Sequence, residues 1–148
     1  MYKAIDVAAW FINRAIDDSV LNGEFMTPLK VQKLLYYSQG FHKVLTGEKL
    51  FKEKILAWQY GPVVQEVFNE LRCYNSSGIS DGLISVKIDD ETEKVLNLVY
   101  NNFNQFSAGK LVSMTHNETP WVSTEQNSEI KVDIIEDYFK KAFFKASG

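Results

Sequence analysis

Residues 27–47 read TPLKVQKLLYYSQGFHKVLTG and carry the clearest helix pattern in the chain. Thr27 belongs to the residue types that cap a helix with a side-chain oxygen, and Pro28 suits the first helical position, where no N–H is needed. Apolar residues then recur at three- and four-residue steps as far as Gly47, which can adopt the left-handed conformation that ends a helix. The pattern predicts one helix over residues 27–46.

The N-terminal segment predicts a second helix. Ile5, Ile12 and Ile16 recur at helical spacing within residues 2–18, so they share one apolar face. Asn22-Gly23-Glu24 then breaks the pattern as a turn.

The segment after the central helix predicts a short strand and a corner. Residues 54–58 are partly alternating and aromatic, which favours a strand. Gly61-Pro62 predicts a turn, with Pro62 opening a helix that continues to Leu71. Residues 83–88 alternate weakly and are the expected partner of the first strand.

The C-terminal half predicts three more helices. Acidic residues from Asp89 onward favour a helix start because of the helix dipole, and an apolar stripe follows as far as Phe103. Ser107 is expected to cap a short helix, and Asp133 a final one. The fold class predicted is mainly α: a compact single-domain bundle of about six helices over residues 1–148, with a small two-stranded β element.

Composition narrows the class of protein. The chain is 45% hydrophobic and 14% aromatic, which is enough for one core, and its formal net charge is -3. A duplex-binding domain usually has a basic excess, so the charge argues against nucleic acid as a partner. Cys73 is the only cysteine, which excludes an intrachain disulfide and a zinc site of several cysteines. With no apolar run near the roughly 18 residues that span a bilayer, we expect a cytoplasmic protein without membrane contact.

The search for catalytic motifs finds no nucleophile elbow and no phosphate loop. His116 with Glu118 invites an enzyme or metal hypothesis, because these groups can share a proton or a cation. The alternative is structural, with His116 hydrogen-bonded to the chain at a helix end and Trp121 packed in the core. We favour the structural interpretation and expect no catalytic residues, no metal and no cofactor.

Two groups of residues remain as candidates for partner binding. The residues of the first group follow one another by three-residue steps on the central helix and therefore lie close together: Lys30, Lys33, Tyr36 and Gln39. They form either a solvated face or the polar and aromatic rim of a binding site. The second is the corner Tyr60-Gly61-Pro62, where Gly61 and Pro62 fix the backbone and Tyr60 is expected to be exposed.

Three segments of the chain resemble the signatures of a known family. They are residues 27–40 (TPLKVQKLLYYSQG), residues 57–67 (AWQYGPVVQEV, preceded by Leu50-Phe51) and residues 111–121 (LVSMTHNETPW). All three resemble the Panacea, or SocA-like, antitoxin domain and occur in that family's order. Residues 72–106 match only its helix pattern.

The resemblance implies an antitoxin that neutralises a protein toxin encoded by an adjacent gene, through a protein complex and without catalysis. One branch of the family presents its toxin to an ATP-dependent protease, which implies a second type of partner, and relatives occur in bacterial prophages. It also favours a partner-binding role for the two groups above together with His116 and Trp121, with an aromatic patch near Tyr36, Tyr60 and Trp121. An autonomous DNA-binding repressor is the remaining alternative, and the few lysines of helix 27–46 argue against it.

Overall fold

The computed structural model describes residues 1–83 and 86–144, and this part of the chain is mainly α-helical. The elements in chain order are α1 (Ala4–Asn22), α2 (Pro28–Thr46), β1 (Ile55–Trp58), β2 (Gly61–Val64), α3 (Gln65–Leu71), a 3-10 turn (Arg72–Tyr74), α4 (Asp90–Phe103), α5 (Ala108–His116), α6 (Thr119–Val122) and α7 (Val132–Ala142). The predicted fold class is confirmed, with seven α-helices in the described ranges rather than about six.

Helix α2 is the central element, and its ends are those the sequence predicts. The Thr27 hydroxyl oxygen accepts a hydrogen bond from the Lys30 N–H at 3.2 Å, and Gly47 closes the helix with φ +80°. Helices α1, α4, α5 and α7 and strand β2 all pack against α2. As a result, every residue from Val31 to Phe41 is buried.

Helix α7 packs closely against α2 at a glycine. A Cβ atom at Gly40 would overlap the ring of Phe139 and would lie 2.8 Å from Ile135 Cγ2. Phe139 itself is fully buried, and its ring lies edge-on to that of Tyr36 at a centroid distance of 5.4 Å. The small residue therefore lets the aromatic core of α7 reach the α2 backbone.

The sheet differs from the sequence prediction in its second strand. Strand β1 pairs antiparallel with β2, in a register that places Ala57 opposite Pro62 and Trp58 opposite Gly61. The predicted strand over residues 83–88 is wrong, since none of its described residues is in a strand; Ile84 and Ser85 lie outside the described residues. The helix predicted to open at Pro62 begins at Gln65 instead.

Pro62 fits β2 because of what faces it. On the outer edge of the strand its carbonyl oxygen accepts a hydrogen bond from the Lys33 ammonium group at 3.0 Å. No strand of the described residues pairs with that outer edge, so the missing N–H of proline removes no ladder hydrogen bond there.

A further segment supports the other edge of β1. The Ala57 N–H donates to the Ser128 carbonyl at 2.9 Å, and the Ile130 N–H donates to the Ile55 carbonyl at 2.7 Å. Strand β1 therefore has backbone partners on both sides, and the hairpin is bound to the chain just before α7.

Candidate partner-binding surface

Three side chains from separate helices bind the carbonyl groups of the β1–β2 turn. The Trp121 indole N–H donates to the Trp58 carbonyl at 2.8 Å, and His116 Nε2 donates to the Gln59 carbonyl at 2.8 Å. Lys33 reaches the far side of the turn through its bond to Pro62. Residues from α2, α5 and α6 thus fix one corner, residues 58–62.

Gly61 sits at this corner in a conformation that other residues rarely adopt. Its φ is +100°, and a Cβ atom there would lie 2.7 Å from Thr115 Oγ1 and 2.8 Å from Lys33 Cε. Both the backbone angle and the close approach of these side chains therefore require glycine.

Lys33 is fully buried beneath the turn, where burial lowers the pKa of its amino group to about 7. Among the described residues no carboxylate lies within ion-pair distance of this group. Its hydrogen bond to Pro62 is the contact that holds it, so the lysine acts as a support for the turn.

Glu118 occupies a second buried position between α2 and the start of α6. Its two carboxylate oxygens accept hydrogen bonds from the hydroxyls of Tyr36 and Tyr37, each at 2.8 Å. Burial raises the pKa of Glu118, and the two phenol bonds oppose that rise. Burial and the neighbouring carboxylate in turn raise the pKa of both tyrosines.

Two glutamines of α2 bind extended backbone as a neighbouring strand would. Gln39 accepts from the Leu50 N–H at 2.7 Å and donates to the Phe51 carbonyl at 2.7 Å. Gln32 accepts from the Val64 N–H at 2.9 Å and donates to the Val64 carbonyl at 3.1 Å. Sequence reasoning missed Gln32. Gln32 precedes Gln39 on α2 by about two helical turns, so the two side chains share one face of the helix, and this spacing was the available signal.

The predicted exposure of the α2 candidates is wrong. Lys33, Tyr36 and Gln39 are buried, and Lys30 is half-buried with its ammonium group donating to the Asn104 carbonyl at 2.7 Å. The physical reason is that α2 is enclosed on several sides, so these polar groups bond to backbone carbonyl and N–H groups or, for Tyr36, to the Glu118 carboxylate instead of to water.

The corner candidates divide between interior and surface. Gly61 and Pro62 are buried, whereas Tyr60 is 60% exposed. His116 and Trp121 are half-buried and lie with ring centroids 4.2 Å apart. The predicted bond from His116 to the chain at a helix end is confirmed.

A surface groove of about 410 Å³ opens beside Tyr60. Its apolar walls are formed by Pro28, Leu29, Trp58, Tyr60, Val63 and Phe68. Its polar lining residues all carry a side-chain amide: Gln32, Gln59, Asn75, Gln126 and Asn127. Phe68, a residue of α3, is 41% exposed here.

A comparison with protein families identifies the chain. The model described as antitoxin SocA-like, Panacea domain, matches residues 31–122, which is more than half of the chain. The protein belongs to the SocA-like antitoxin family. No curated protein and no solved structure matches it with significance.

The three side chains that bind the carbonyl groups of the β1–β2 turn all lie in the matched part of this SocA-like chain. Lys33, His116 and Trp121 all lie inside residues 31–122, as do the Tyr36, Tyr37 and Glu118 side chains that bond to one another. The segments that carry the family resemblance, distant in sequence, therefore meet at the β1–β2 turn. Helices α1 and α7 flank the matched part.

Two further findings concern the described residues of the SocA-like chain. No group of three or more His, Cys, Asp or Glu side chains in residues 1–83 and 86–144 is arranged to hold a metal ion. No helix in the same ranges has the length and apolar character needed to cross a bilayer.

Proposed function

We propose that this SocA-like chain is an antitoxin that neutralises a protein toxin, encoded by an adjacent gene, by binding it directly. The binding site is the hairpin surface, which we define as Tyr60, Phe68, His116, Trp121 and Val122. The same proposal places the protein in the bacterial cytoplasm and gives it no nucleic-acid partner, in keeping with its net charge of -3.

The observation that carries the proposal is the convergence of the three family segments on one rigid turn with exposed aromatic rings. Tyr60 and Val122 are about equally exposed, at 60% and 61%, and Phe68 is 41% exposed. Aromatic side chains on a fixed scaffold give a partner large contact area at a small loss of conformational entropy. The buried side chains beneath the turn supply that rigidity.

The first experiment co-expresses the chain with the product of the neighbouring open reading frame. We expect the neighbour to stop growth alone and growth to return when both are made. A neighbour that is harmless alone, or lethal in both cases, contradicts the proposal.

Alanine variants locate the site. Tyr60→Ala and Phe68→Ala should each weaken binding of the purified toxin by about 2 kcal/mol, which is roughly thirtyfold in Kd. Leu45→Ala is the matched control, because Leu45 is 50% exposed but lies near the opposite end of α2, roughly 25 Å from Pro28 along the helix. Equal losses in all three variants would argue against a site at the hairpin.

Two alternatives are separated from occlusion by their own measurements. A proteolytic adaptor would shorten the half-life of the toxin and would do so only while an ATP-dependent protease is present. An enzyme built on His116 and Glu118 would lose activity in His116→Gln. In the structure, Glu118 is bonded to two tyrosines and His116 to a backbone carbonyl, so the contacts of neither residue support that alternative.

A further inference from the structure

We propose that the groove beside Tyr60 binds an uncharged, extended segment of the toxin that inserts one aromatic or large aliphatic side chain. The inference rests on the proposed function and specifies the chemistry of the partner. It follows from three properties of the groove: its charge, its walls and its free amide groups.

The described residues that line the groove include no ionised side chain. None of them is Asp, Glu, Lys, Arg or His, although such residues make up about a quarter of the chain. A charged group entering this space would lose hydration and find no counter-charge, which costs free energy. The lining therefore favours a neutral guest over an acidic or basic one.

The walls favour a large apolar side chain. Trp58 and Phe68 lie edge to face with ring centroids 5.2 Å apart, and Pro28, Leu29 and Val63 close the other sides. An inserted ring would extend this edge-to-face arrangement, and aromatic pairs add stabilisation beyond the area that they bury. The volume of about 410 Å³ holds such a side chain together with adjoining backbone.

The amide groups favour peptide backbone. Gln59, Asn75, Gln126 and Asn127 are exposed at the groove, and their side chains take part in none of the hydrogen bonds between described residues. Each primary amide offers a donor and an acceptor, as a peptide group does.

The fold already uses this pairing in its interior. Gln32 binds both the N–H and the carbonyl of Val64, and Gln39 binds the N–H of Leu50 and the carbonyl of Phe51. The free amides at the groove present the same chemistry to a chain that arrives from outside.

The test uses capped tripeptides as probes for the full-length, ¹⁵N-labelled protein. We expect Ac-Gly-Trp-Gly-NH₂ to shift the side-chain amide signals of Gln59, Asn75, Gln126 and Asn127. The Lys and Glu versions of the peptide should bind at least about tenfold more weakly, which is about 1.4 kcal/mol. Equal binding of all three peptides, or shifts confined to other surfaces, overturns the inference. Shifts that depend on protein concentration without peptide would show a second copy in the groove and overturn it as well.

A charge placed in the groove should create a preference between the two charged peptides. Gln126→Glu keeps the size of the side chain and adds a carboxylate, so it should strengthen binding of the Lys peptide severalfold and weaken that of the Glu peptide. The matched control is Gln65→Glu, because Gln65 is exposed but does not line the groove. The same change of preference in both variants would contradict a specific site.

Toxin capture by the same variants separates this inference from the proposed function. If the toxin is neutralised while the peptides show no preference, the inference fails and the proposed function stands. If the peptides behave as expected but no neighbouring gene product is captured, the proposed function fails. The groove then still binds neutral peptide, but its occupant is not a toxin.

Discussion

Lys33 places an amino group in the interior with a single carbonyl oxygen as its hydrogen-bond partner. Desolvation disfavours the charged form of such a group, which is why the pKa falls to about 7. Glu118 shows the opposite direction, since burial of a carboxyl group also favours its neutral form and raises its pKa. Both residues make the stability of the fold depend on pH, in different pH ranges.

The first prediction concerns Lys33 in mildly alkaline solution. The folded chain releases the Lys33 proton above pH 7, whereas the unfolded chain keeps it until the ordinary pKa of 10.5. The unfolded state therefore binds more protons in this range, and the free energy of unfolding should rise with pH. We expect a gain of about 1–2 kcal/mol between roughly pH 7.5 and 9.5, measured by urea unfolding.

Lys33→Met is the control for that prediction, because it keeps an unbranched side chain one atom shorter and removes the titratable group. Its free energy of unfolding should change little over the same range. The series must stop below the ordinary pKa of tyrosine, since the raised pKa of Tyr36 and Tyr37 destabilises the fold at higher pH. A slope of equal size in the variant would rule out Lys33 as the source.

At the scale of single residues, the sequence predicted one side-chain contact correctly but did not predict which side chains of α2 are buried. The bond of His116 to the chain was predicted, because a lone histidine at a helix end commonly binds nearby backbone. The burial of Lys33, Tyr36 and Gln39 was not, because their spacing on α2 is equally compatible with a solvated face. What decides their position is how many other elements surround α2, and that is a property of the tertiary structure.

At the scale of elements, Gln32 and Gln39 take the place of neighbouring strands. Each amide side chain satisfies one N–H and one carbonyl of an extended segment that no strand covers. Buried backbone groups without partners would be costly, so these two glutamines stabilise the hairpin and the segment around Leu50.

The second prediction follows from these bonds. Gln32→Ala and Gln39→Ala should each lower the free energy of unfolding by about 2–3 kcal/mol, because two buried backbone groups lose their partner. Gln65→Ala, at an exposed position, should have an effect below about 0.5 kcal/mol. Hydrogen exchange of the Val64 amide should accelerate in Gln32→Ala and not in Gln39→Ala; equal protection in both would contradict the assigned pairing.

The third prediction compares two glycines with positive φ. Gly47 has φ +80° and open space around its Cβ position, so Gly47→Ala should cost only the backbone strain, about 1–2 kcal/mol. Gly61 adds the contacts with Thr115 and Lys33, so Gly61→Ala should cost about 1–3 kcal/mol more. Chemical unfolding of both variants measures the difference. Equal losses of the free energy of unfolding would show that the close contacts at Gly61 do not add to the cost of the substitution.

Element boundaries could be predicted where a cap fixes them. Thr27 and Gly47 bound α2 as expected, and the side chains of Asp89 and Ser107 cap α4 and α5. The final helix begins at Val132, so Asp133 lies in its first turn rather than at its cap. The β2 strand was missed because Gly-Pro normally signals a turn, and the sequence does not show that Pro62 would lie on the outer edge of a two-stranded sheet.

At the scale of the molecule, helices outside the matched family segment complete the core. Residues of α1 and α7 such as Phe11, Ile12, Ile135 and Phe139 are fully buried with those of α2. The prediction that residues 1–148 form a single domain implies that all these helices unfold together.

The fourth prediction tests whether residues 1–148 unfold as a single domain. Far-ultraviolet circular dichroism and tryptophan fluorescence should give coincident unfolding curves, since Trp10, Trp58 and Trp121 report from separate helices or strands.

A chain ending at residue 131 should lose the cooperative transition. Removing Ile135 and Phe139 alone costs about 2–5 kcal/mol each, which is comparable with the total stability of a domain. Separate transitions in the full chain, or a cooperative truncated chain, would contradict a single domain.

The enclosure of α2 has a consequence for genetic screens. Several polar side chains on this helix, such as Lys33 and Gln39, bind backbone outside it, so a substitution at one of these positions loosens the segment that the side chain holds. Suppressor mutations that restore a defective α2 variant should therefore map to the loop it releases, such as the β1–β2 turn for Lys33, and not to the partner protein. Allele-specific rescue by changes in the partner is expected only for surface positions such as Tyr60 and Phe68.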